Sequence, residues 1–297
     1  FYKEDGMKQS PQVLSVLSKL RSEKKFPEIF VVTSGKGGVG KSFVSVNIAI
    51  LLGQLRRRVL LIDADINLGN VDLLLGLRPK YSIADVLTEK ADLRSIIIKG
   101  PGGIDIMPAS SGVLELLEMD DHLLRKLKDA FSTFEHEYDT VIVDTGAGIS
   151  KNVMSFVLSA DKLILLATHD PASIADAYSM IKVIKHHQAS IPILFAANMI
   201  ASDSEGESLF NKMNLMVNRF LDSKINYGGT VLRSSIIAES IRQQKPLTIE
   251  HPNSSSVNIL KMIIRRLLNL PMKDVSERTG LFERVILHRN YIVGDEL

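Results

Sequence analysis

A glycine-rich loop between a short apolar run and a helical pattern constrains the fold of this chain more than any other stretch. The run Ile29–Thr33 predicts a buried strand, and apolar residues after the loop recur at helical spacing as far as Leu55. The residues between them, Gly35–Ser42, fit the pattern G-x-x-x-x-G-K-[ST]. Such a loop wraps a phosphate group with main-chain N–H groups, because glycines let the backbone approach closely. The strand, the loop and the helix together predict a phosphate-binding site.

The loop positions have separate expected roles. Lys41 is expected to reach the outer phosphates of the ligand and Ser42 to bind Mg²⁺. The predicted helix Lys41–Leu55 adds the partial positive charge of its N-terminus. The loop residues expected to contact the ligand are Gly35, Lys36, Gly37, Gly38, Val39, Gly40, Lys41 and Ser42.

Composition excludes several classes of site. The 297 residues contain no cysteine, which rules out disulfides, thiolate metal sites and iron–sulfur clusters. The net charge is only +2, so no overall field favours nucleic acid, and binding of a specific nucleic acid is not expected. No apolar run approaches the roughly 20 residues that a membrane-spanning helix needs. We therefore expect a cytoplasmic protein.

Apolar runs and helical stretches alternate along the chain. Strands are predicted at Ile29–Thr33, Val59–Asp63, Ile104–Met107, Thr140–Asp144, Leu163–Thr168 and Ile193–Asn198. Helices are predicted at Lys41–Leu55, Val113–Phe134, Ala172–His186, Leu209–Leu221 and Val257–Leu268. Strands rich in Val, Ile and Leu with helices between them predict an α/β fold, in which a mostly parallel central sheet carries helices on both faces.

The same pattern divides the chain into three parts. Residues 1–26 are expected to form a peripheral N-terminal extension, and residues 27–270 the phosphate-binding domain. Pro271 follows the last long predicted helix and marks a break. Residues 271–297 are therefore expected to form a separate tail.

Acidic residues follow two of the predicted strands. Asp63 and Asp65 close the second strand, and Asp144 closes a later one. Because ligands of parallel sheets bind at the carboxyl ends of strands, we expect these carboxylates to lie beside the glycine-rich loop. Carboxylates in that place suit Mg²⁺ and an attacking water molecule. Gly146 and Gly148 after Asp144 allow the following loop to change conformation.

The run Lys36–Ser42 resembles the deviant phosphate loop of the MinD/ParA family of ATPases, because a second lysine, Lys36, stands at its start. The resemblance implies the P-loop NTPase fold of that family, ATP or ADP with Mg²⁺ as ligands, and slow ATP hydrolysis. It also implies an ATP-bound homodimer, in which Lys36 reaches the nucleotide of the other subunit. The catalytic residues that the resemblance implies are Lys36, Lys41 and Asp65, of which Asp65 activates the hydrolytic water.

The same resemblance extends to the metal and the base. It implies that Ser42, Asp63 and Asp144 surround the magnesium ion, and that Asn198 contacts adenine. An asparagine that simply ends a strand is the alternative interpretation of Asn198. The chain departs from the family nearby, because Leu232 stands where the family usually has a proline.

The segment Thr168–Lys182 resembles the flagellar-number branch of the family, which includes FlhG, in its pattern Pro-x-Ser-x-x-Asp-Ala-Tyr. This implies a switch that regulates flagellar number and placement, with the flagellar GTPase FlhF and flagellar switch components as partners. Division-site selection of the MinD type and DNA partition of the ParA type remain as alternatives. For His169, in the same segment, a main-chain hydrogen-bond partner is expected.

The tail contains a short amphipathic pattern. In residues 280–289, apolar side chains share one face of a helix; they are Leu281, Phe282, Val285 and Ile286. The pattern resembles the tail of MinD, which implies peripheral binding to the inner face of the cell membrane. Docking of the same helix face against the ATPase body is the alternative.

Overall fold

An eight-stranded sheet forms the centre of the computed structural model, which describes residues 26–65, 69, 71–81, 85–86, 89–108, 121–187, 189–271 and 279–294. The strands are β1 Glu28–Ser34, β2 Val59–Ala64, β3 Ile98–Lys99, β4 Asp105–Met107, β5 Thr140–Ala147, β6 Lys162–Ala167, β7 Ile193–Ile200 and β8 Asn226–Leu232. Their order across the sheet is β3-β4-β2-β5-β1-β6-β7-β8. Every neighbouring pair is parallel except β3 and β4. The predicted, mostly parallel sheet is confirmed.

Helices cover both faces of this sheet, as predicted. They are α1 Lys41–Gln54, α2 Val71–Leu74, α3 Asp121–Ser132, α4 Lys151–Ser159, α5 Pro171–His186, α6 Asp203–Leu221, α7 Ser235–Arg242, α8 Leu247–Glu250, α9 Ser255–Asn269 and α10 Leu281–Gly294. Helices α3 to α6 and α10 share a hydrophobic core with one face of the sheet. Helices α1, α2 and α7 to α9 pack on the other face.

The central strand β1 shows why the predicted strands are continuously apolar. Ile29 and Val31 join the core on one face, whereas Phe30 and Val32 join the core on the other. Successive side chains of a strand point to opposite faces, so a strand that is covered on both faces must be apolar throughout. Because β1, β2 and β5 run parallel, their carboxyl ends meet at one edge of the sheet. The candidate functional residues predicted from the sequence lie close to these ends, either within the last residues of the strands or just after them.

The predicted elements differ from the structure in several places, and the short elements β3, α2, α4, α7 and α8 have no predicted counterpart. Strand β8 was not predicted, because Gly228 and Gly229 interrupt its apolar pattern. Helix α6 begins earlier than predicted, because the Ser202 hydroxyl accepts a hydrogen bond from the N–H of Glu205 at 3.3 Å and caps it. The Ser-x-x-Glu signature of that cap was present in the sequence. The N-terminal extension, except for residue 26, and residues 113–120 of the predicted helix Val113–Phe134 lie outside the described residues.

The tail helix α10 lies on the body of the protein. Leu281, Phe282 and Val285, from the face predicted to enter a membrane, are buried against α3 and α4. The ring of Phe282 meets that of Phe131 edge to face, with 4.9 Å between centroids. The structure therefore shows the docking alternative rather than a free membrane-binding face, because this apolar surface is already covered by protein. No helix among the described residues is long and apolar enough to span a membrane.

A buried ion pair anchors the same helix. Arg284 donates a hydrogen bond from Nη1 to Oδ1 of Asp161 at 2.9 Å, and both side chains are almost fully buried. The other carboxylate oxygen of Asp161 accepts the main-chain N–H of Ile29 at 2.9 Å. Removal of either partner would leave an uncompensated buried charge. Helix α10 is thus tied to the start of the central strand.

We expect Phe282→Ala to lower the free energy of unfolding by about 3–5 kcal/mol, because it opens a cavity between α10 and α3. Leu287→Ala is the matched control, since Leu287 lies on the outer face of the same helix and is 61% exposed. The control should stay within about 0.5 kcal/mol of the wild type. Urea unfolding followed by circular dichroism measures both variants. Equal effects of the two substitutions would contradict the docked position of α10.

Candidate nucleotide site

The glycine-rich loop joins the end of β1 to the start of α1. Gly38 and Gly40 have φ angles of +74° and +90°, a region that favours glycine. Gly40 is the residue before the first turn of α1, and no side chain caps that turn. The N–H groups at the start of a helix without a side-chain cap are free to bind an anion. The predicted loop therefore has the geometry of a phosphate site.

The first glycine of the loop is required by close packing. A methyl group at Gly35 would lie 2.3 Å from the main-chain carbon of Asp176 in α5. No real Cβ atom tolerates that distance, so the loop and α5 can approach only through glycine. This contact places the N-terminal half of α5 beside the loop.

Lys41 carries a buried charge at the centre of the site. Its side chain is only 7% exposed, and burial lowers the pKa of its ammonium group. The nearby carboxylates of Asp144 and Asp65 oppose that shift and favour the charged form. The ammonium group of Lys41 is therefore buried beside the loop, and its contact with phosphate oxygens stays a prediction.

Asp63 and Asp144 lie side by side on neighbouring strands, β2 and β5, in register. Both are fully buried, and burial raises the pKa of each carboxyl group. The negative charge of Asp144 further raises the pKa of Asp63. The main-chain N–H groups of Asp65 and Val71 each donate to Asp63 at 3.1 Å and partly offset this effect. The sequence correctly predicted that these carboxylates meet beside the loop.

The surroundings of Asp144 fit a divalent cation. Its Oδ1 atom accepts the hydroxyl of Ser45 at 2.8 Å, whereas Oδ2 is buried and has no hydrogen-bond partner among the described residues. The Ser42 hydroxyl is a close neighbour and, with Ser45, lowers the pKa of Asp144 against the larger effect of burial. Carboxylate and hydroxyl oxygens are the ligands that Mg²⁺ prefers. The residues present therefore fit the predicted magnesium site.

Asp65 directly follows β2 and lies next to the last residues of β5, from which the next loop begins. A methyl group at Gly146 would lie 3.5 Å from Oδ1 of Asp65. Gly148, with φ of +89°, donates its N–H to the carbonyl of Ser34 at 3.0 Å. The loop after β5 is thus held directly against the end of β1. A shift in this loop would change the surroundings of both Asp65 and the phosphate loop.

Lys36 is paired within its own chain. Its ammonium group forms an ion pair with Asp170, which also accepts the N–H of Ala172 at 2.8 Å as the cap of α5. This pairing lowers the pKa of Asp170. The side chains of Lys36 and Asp170 remain 41% and 43% exposed, so the ion pair lies at the surface. Asp170 was not predicted as a partner, because it lies far from the loop in sequence.

A cleft of about 550 Å³ opens beside the phosphate loop, at the carboxyl ends of β6, β7 and β8. Its walls include Lys36, Gly37, Gly38, Val39, Thr168, His169, Asp170, Met199, Ala201, Glu205 and Arg233. His169 forms a contact with the carboxylate of Glu205 through Nδ1, rather than the main-chain contact expected from the sequence. The predicted base contact, Asn198, lies within β7 next to Met199 of this wall and is not itself one of the lining residues.

Asn198 lies under the phosphate loop itself. Its Nδ2 atom donates to the carbonyl of Val39 at 2.7 Å, and the side chain is 3% exposed. The predicted contact with adenine stays a prediction. The contact with the loop was not predicted from the sequence, since no local pattern indicates which residues a strand-ending asparagine will meet.

Comparison with known proteins agrees with this geometry. A family model described as an AAA domain matches residues 27–195. The chain is 38% identical to the antiactivator FleN of Pseudomonas aeruginosa over 88% of its length and 94% of that protein. It is 31% identical to the flagellum site-determining protein YlxH of Helicobacter pylori over 76% of each. The septum site-determining protein MinD of Pyrococcus horikoshii, complexed with Mg-ADP, superposes with a TM-score of 0.67 at 24% identity, covering 82% of this chain and 96% of that one.

Gly40→Ala should weaken binding of Mg·ATP by about tenfold or more, the equivalent of one lost hydrogen bond. The added methyl group would lie 2.4 Å from Nδ2 of Asn198 and would push that side chain away from the loop. Isothermal titration calorimetry measures the affinity.

Gly103→Ala is the matched control for this prediction. Gly103 also has a left-handed φ, +77°, but a methyl group there would meet no atom of the described residues within 4 Å. Both variants should lose about 1–2 kcal/mol of folding stability from backbone strain, and only Gly40→Ala should lose affinity. Unchanged affinity in Gly40→Ala would contradict the tight contact between the loop and Asn198.

Proposed function

The chain belongs to the MinD/ParA family of P-loop ATPases, in the branch that contains FleN and YlxH, and on this basis we propose that it is an ATP-dependent switch controlling flagellar number and placement. In this proposal ATP binding favours a homodimer, and slow hydrolysis to ADP and phosphate returns the monomer. The observation that carries it is the phosphate loop with a buried Lys41, an exposed Lys36 and two buried carboxylates beside it.

Each group of the site has a separate task in the proposed reaction. The N–H groups of the loop and the ammonium group of Lys41 bind the phosphate oxygens. Ser42 and Asp144, with Asp63 behind them, would hold Mg²⁺. When bound, that ion supplies positive charge that neutralises the phosphates. Asp65 orients the attacking water molecule and accepts its proton.

The proposed change of state starts in the loop after β5. Gly148 in that loop is hydrogen-bonded to Ser34, and Gly146 lies beside Asp65. A γ-phosphate next to these groups would favour one arrangement of the loop over another, and hydrolysis would remove that preference. Helix α4 follows this loop directly, so a movement there would pass into the body of the protein.

Dimerisation requires a change of partner for Lys36. In the structure Lys36 is bound to Asp170 of the same chain. The proposed role across a dimer interface requires Lys36 to leave this ion pair and reach the nucleotide of the other subunit. Because the ion pair between Lys36 and Asp170 is exposed, it contributes little free energy, and Lys36 can leave it at low cost.

We expect Asp65→Ala to reduce ATP hydrolysis by about 100-fold or more, because the variant lacks the group that activates water. Binding of ATP should remain, so the ATP-bound dimer should accumulate. Phosphate release and light scattering after size exclusion measure the two effects. The control is Asp129→Ala, which replaces an exposed carboxylate on α3 with no role in the site. Wild-type hydrolysis in Asp65→Ala would rule out the assigned role.

The cellular output is tested with the same variant. In Pseudomonas aeruginosa that lacks FleN, the wild-type chain should restore the normal number of flagella per cell, whereas Asp65→Ala should shift that number.

Division-site selection of the MinD type is the alternative, and the structural likeness to MinD favours it. Altered cell division with normal flagellation would favour that alternative. Recovery of FlhF or flagellar switch proteins with the ATP-bound dimer would support the predicted partners.

Asp170→Asn should shift dimerisation to lower ATP concentration by about twofold to fivefold, because it removes the charge that holds Lys36 within its own chain. Asparagine still caps α5, so the helix should remain intact. The control is Asp139→Asn, which breaks an ion pair with Arg58 away from the cleft. The two carboxylates are matched in exposure, because the side chains of Asp139 and Asp170 are both 43% exposed. Sedimentation velocity across an ATP titration measures the dimer. Weaker dimerisation in Asp170→Asn alone would contradict the proposed restraint.

A further inference from the structure

A small pocket of about 170 Å³ lies between the end of α3 and the start of α10. We infer that this pocket binds a lysine side chain of the segment that precedes Phe26, and so ties the N-terminal extension to the first turn of α10. The lysines nearest to Phe26 in the chain, Lys24 and Lys25, are the expected occupants. The inference goes beyond the proposed function, because this pocket and the nucleotide cleft share no lining residue.

The pocket has aromatic walls. Phe131 and Phe282 both line it, and their rings meet edge to face with 4.9 Å between centroids. Phe26, the first residue that the structure describes, adds a third ring. Aromatic rings pack against the methylene stem of a lysine and attract its ammonium group. The walls therefore suit a long side chain that ends in a positive charge.

Carboxylates outnumber cations in the same lining. Asp129, Glu135 and Glu283 carry three negative charges, whereas Lys128 carries the one positive charge among the described lining residues. The ammonium group of Lys128 lies 3.5 Å from Oδ1 of Asp129, so it is already used. Among the residues that the structure describes, Glu135 and Glu283 have no partner in an ion pair. An added cation would balance this excess of negative charge.

Glu135 distinguishes the pocket from a cluster of surface acids. The residue is only 3% exposed, and its Oε2 atom accepts the main-chain N–H of Leu281 at 3.3 Å. Its Oε1 atom has no hydrogen-bond partner within the described part of the chain. Burial raises the pKa of this carboxyl group, because the charged form is removed from water. A buried carboxylate that lines a pocket with one oxygen unpartnered favours a cation as the occupant.

The chain itself supplies the nearest cations. Because Phe26 lines the pocket, the residues before it start from the pocket wall. Four of the seven residues at positions 19–25 are basic and one is acidic, in the sequence Lys-Leu-Arg-Ser-Glu-Lys-Lys. Two residues of extended chain span about 7 Å, so Lys24 and Lys25 start within reach of the pocket. Opposite charge and short distance both favour this segment over a separate molecule.

The carboxylate in the pocket is also a contact of the tail helix. Glu135 accepts the N–H of Leu281, one of the first N–H groups of α10 that have no acceptor within the helix. A methyl group at Gly280 would clash with both carboxylate oxygens, so glycine allows this close approach. A lysine bound at Glu135 favours the ionised carboxylate, and negative charge at a helix N-terminus is stabilising. The two ends of the chain are thus joined through one carboxylate.

Trypsin tests the inference directly, because the enzyme must take a lysine side chain into its own specificity pocket before it cleaves. Limited proteolysis of the full chain, followed by mass spectrometry, measures cleavage after Lys24 and Lys25. We expect Glu135→Gln to speed this cleavage by about fivefold to tenfold, because glutamine keeps an acceptor for Leu281 and removes the charge. The matched control is Glu137→Gln, which removes a carboxylate that is paired with Arg94 outside the pocket and should leave the rate unchanged.

Hydrogen exchange distinguishes loss of a bound lysine from simple loosening of α10. Exchange at the N–H of Leu281 should be faster in Glu135→Gln and in the double variant Lys24→Gln, Lys25→Gln. Combining all three substitutions should give no further increase over Glu135→Gln, because both sets remove the same contact. Additive effects of the two sets would overturn the inference.

The trypsin rates decide the occupant. Equal cleavage after Lys24 and Lys25 in the wild type and in Glu135→Gln would overturn the inference. If exchange at Leu281 of the wild type were also slowed by added L-arginine, the pocket would belong to a cation from another molecule, and the assignment to the N-terminal segment would be wrong.

Discussion

The burial of two carboxylates side by side is the constraint on which the nucleotide cleft depends. Asp63 and Asp144 occupy matching positions on β2 and β5, and both are removed from water. Two like charges in this position are unfavourable unless positive charge lies close by. Lys41 supplies part of it, and the remaining acceptor capacity at Asp144 suits a cation. A one-residue slip of β2 against β5 would turn one carboxylate to the other face, so the site depends on the register of the sheet.

The two lysines of the phosphate loop have opposite environments, although only four residues separate them. Lys41 is buried between the loop and the carboxylates, where its charge has a fixed position. Lys36 is exposed and forms a surface ion pair with Asp170. A buried charged group acts from a fixed position, because leaving it without a partner is unfavourable. An exposed charged group gains little free energy from any one ion pair, so it exchanges partners easily. The loop therefore combines a permanent ligand for phosphate with a group suited to changing its contacts.

Local patterns in the sequence were sufficient for the mostly parallel sheet, for the longer helices that cover it, for the phosphate loop and for the acidic residues near the strand ends. These predictions succeed because each feature is encoded within a few residues, by the alternation of buried and exposed side chains, by the spacing of glycines or by an acidic residue after an apolar run. The contacts that give the site its geometry join distant parts of the chain. The ion pair between Asp170 and Lys36 and the hydrogen bond from Asn198 to Val39 depend on how β6 and β7 lie next to β1. The hydrogen bond from Ser45 to Asp144 also joins distant parts of the chain, α1 and β5. No periodicity encodes such pairs. Strand β8 was not predicted for a different reason. Its two glycines lie at an irregularity in the pairing with β7 and interrupt the apolar pattern by which strands are predicted.

Helix α10 packs along α4, the helix that directly follows the loop beside Asp65. The last described helix therefore supports the element that follows the loop in which we propose the change of state begins. Shortening the chain before residue 281 would expose the rings around Phe131 to water and leave Asp161 buried without its guanidinium partner. The shortened protein would lose packing next to the loop that we propose responds to the nucleotide. In this fold, deletion of the tail therefore also disturbs the surroundings of that loop, and point substitutions on the outer face of α10 change the surface of the helix without removing its packing.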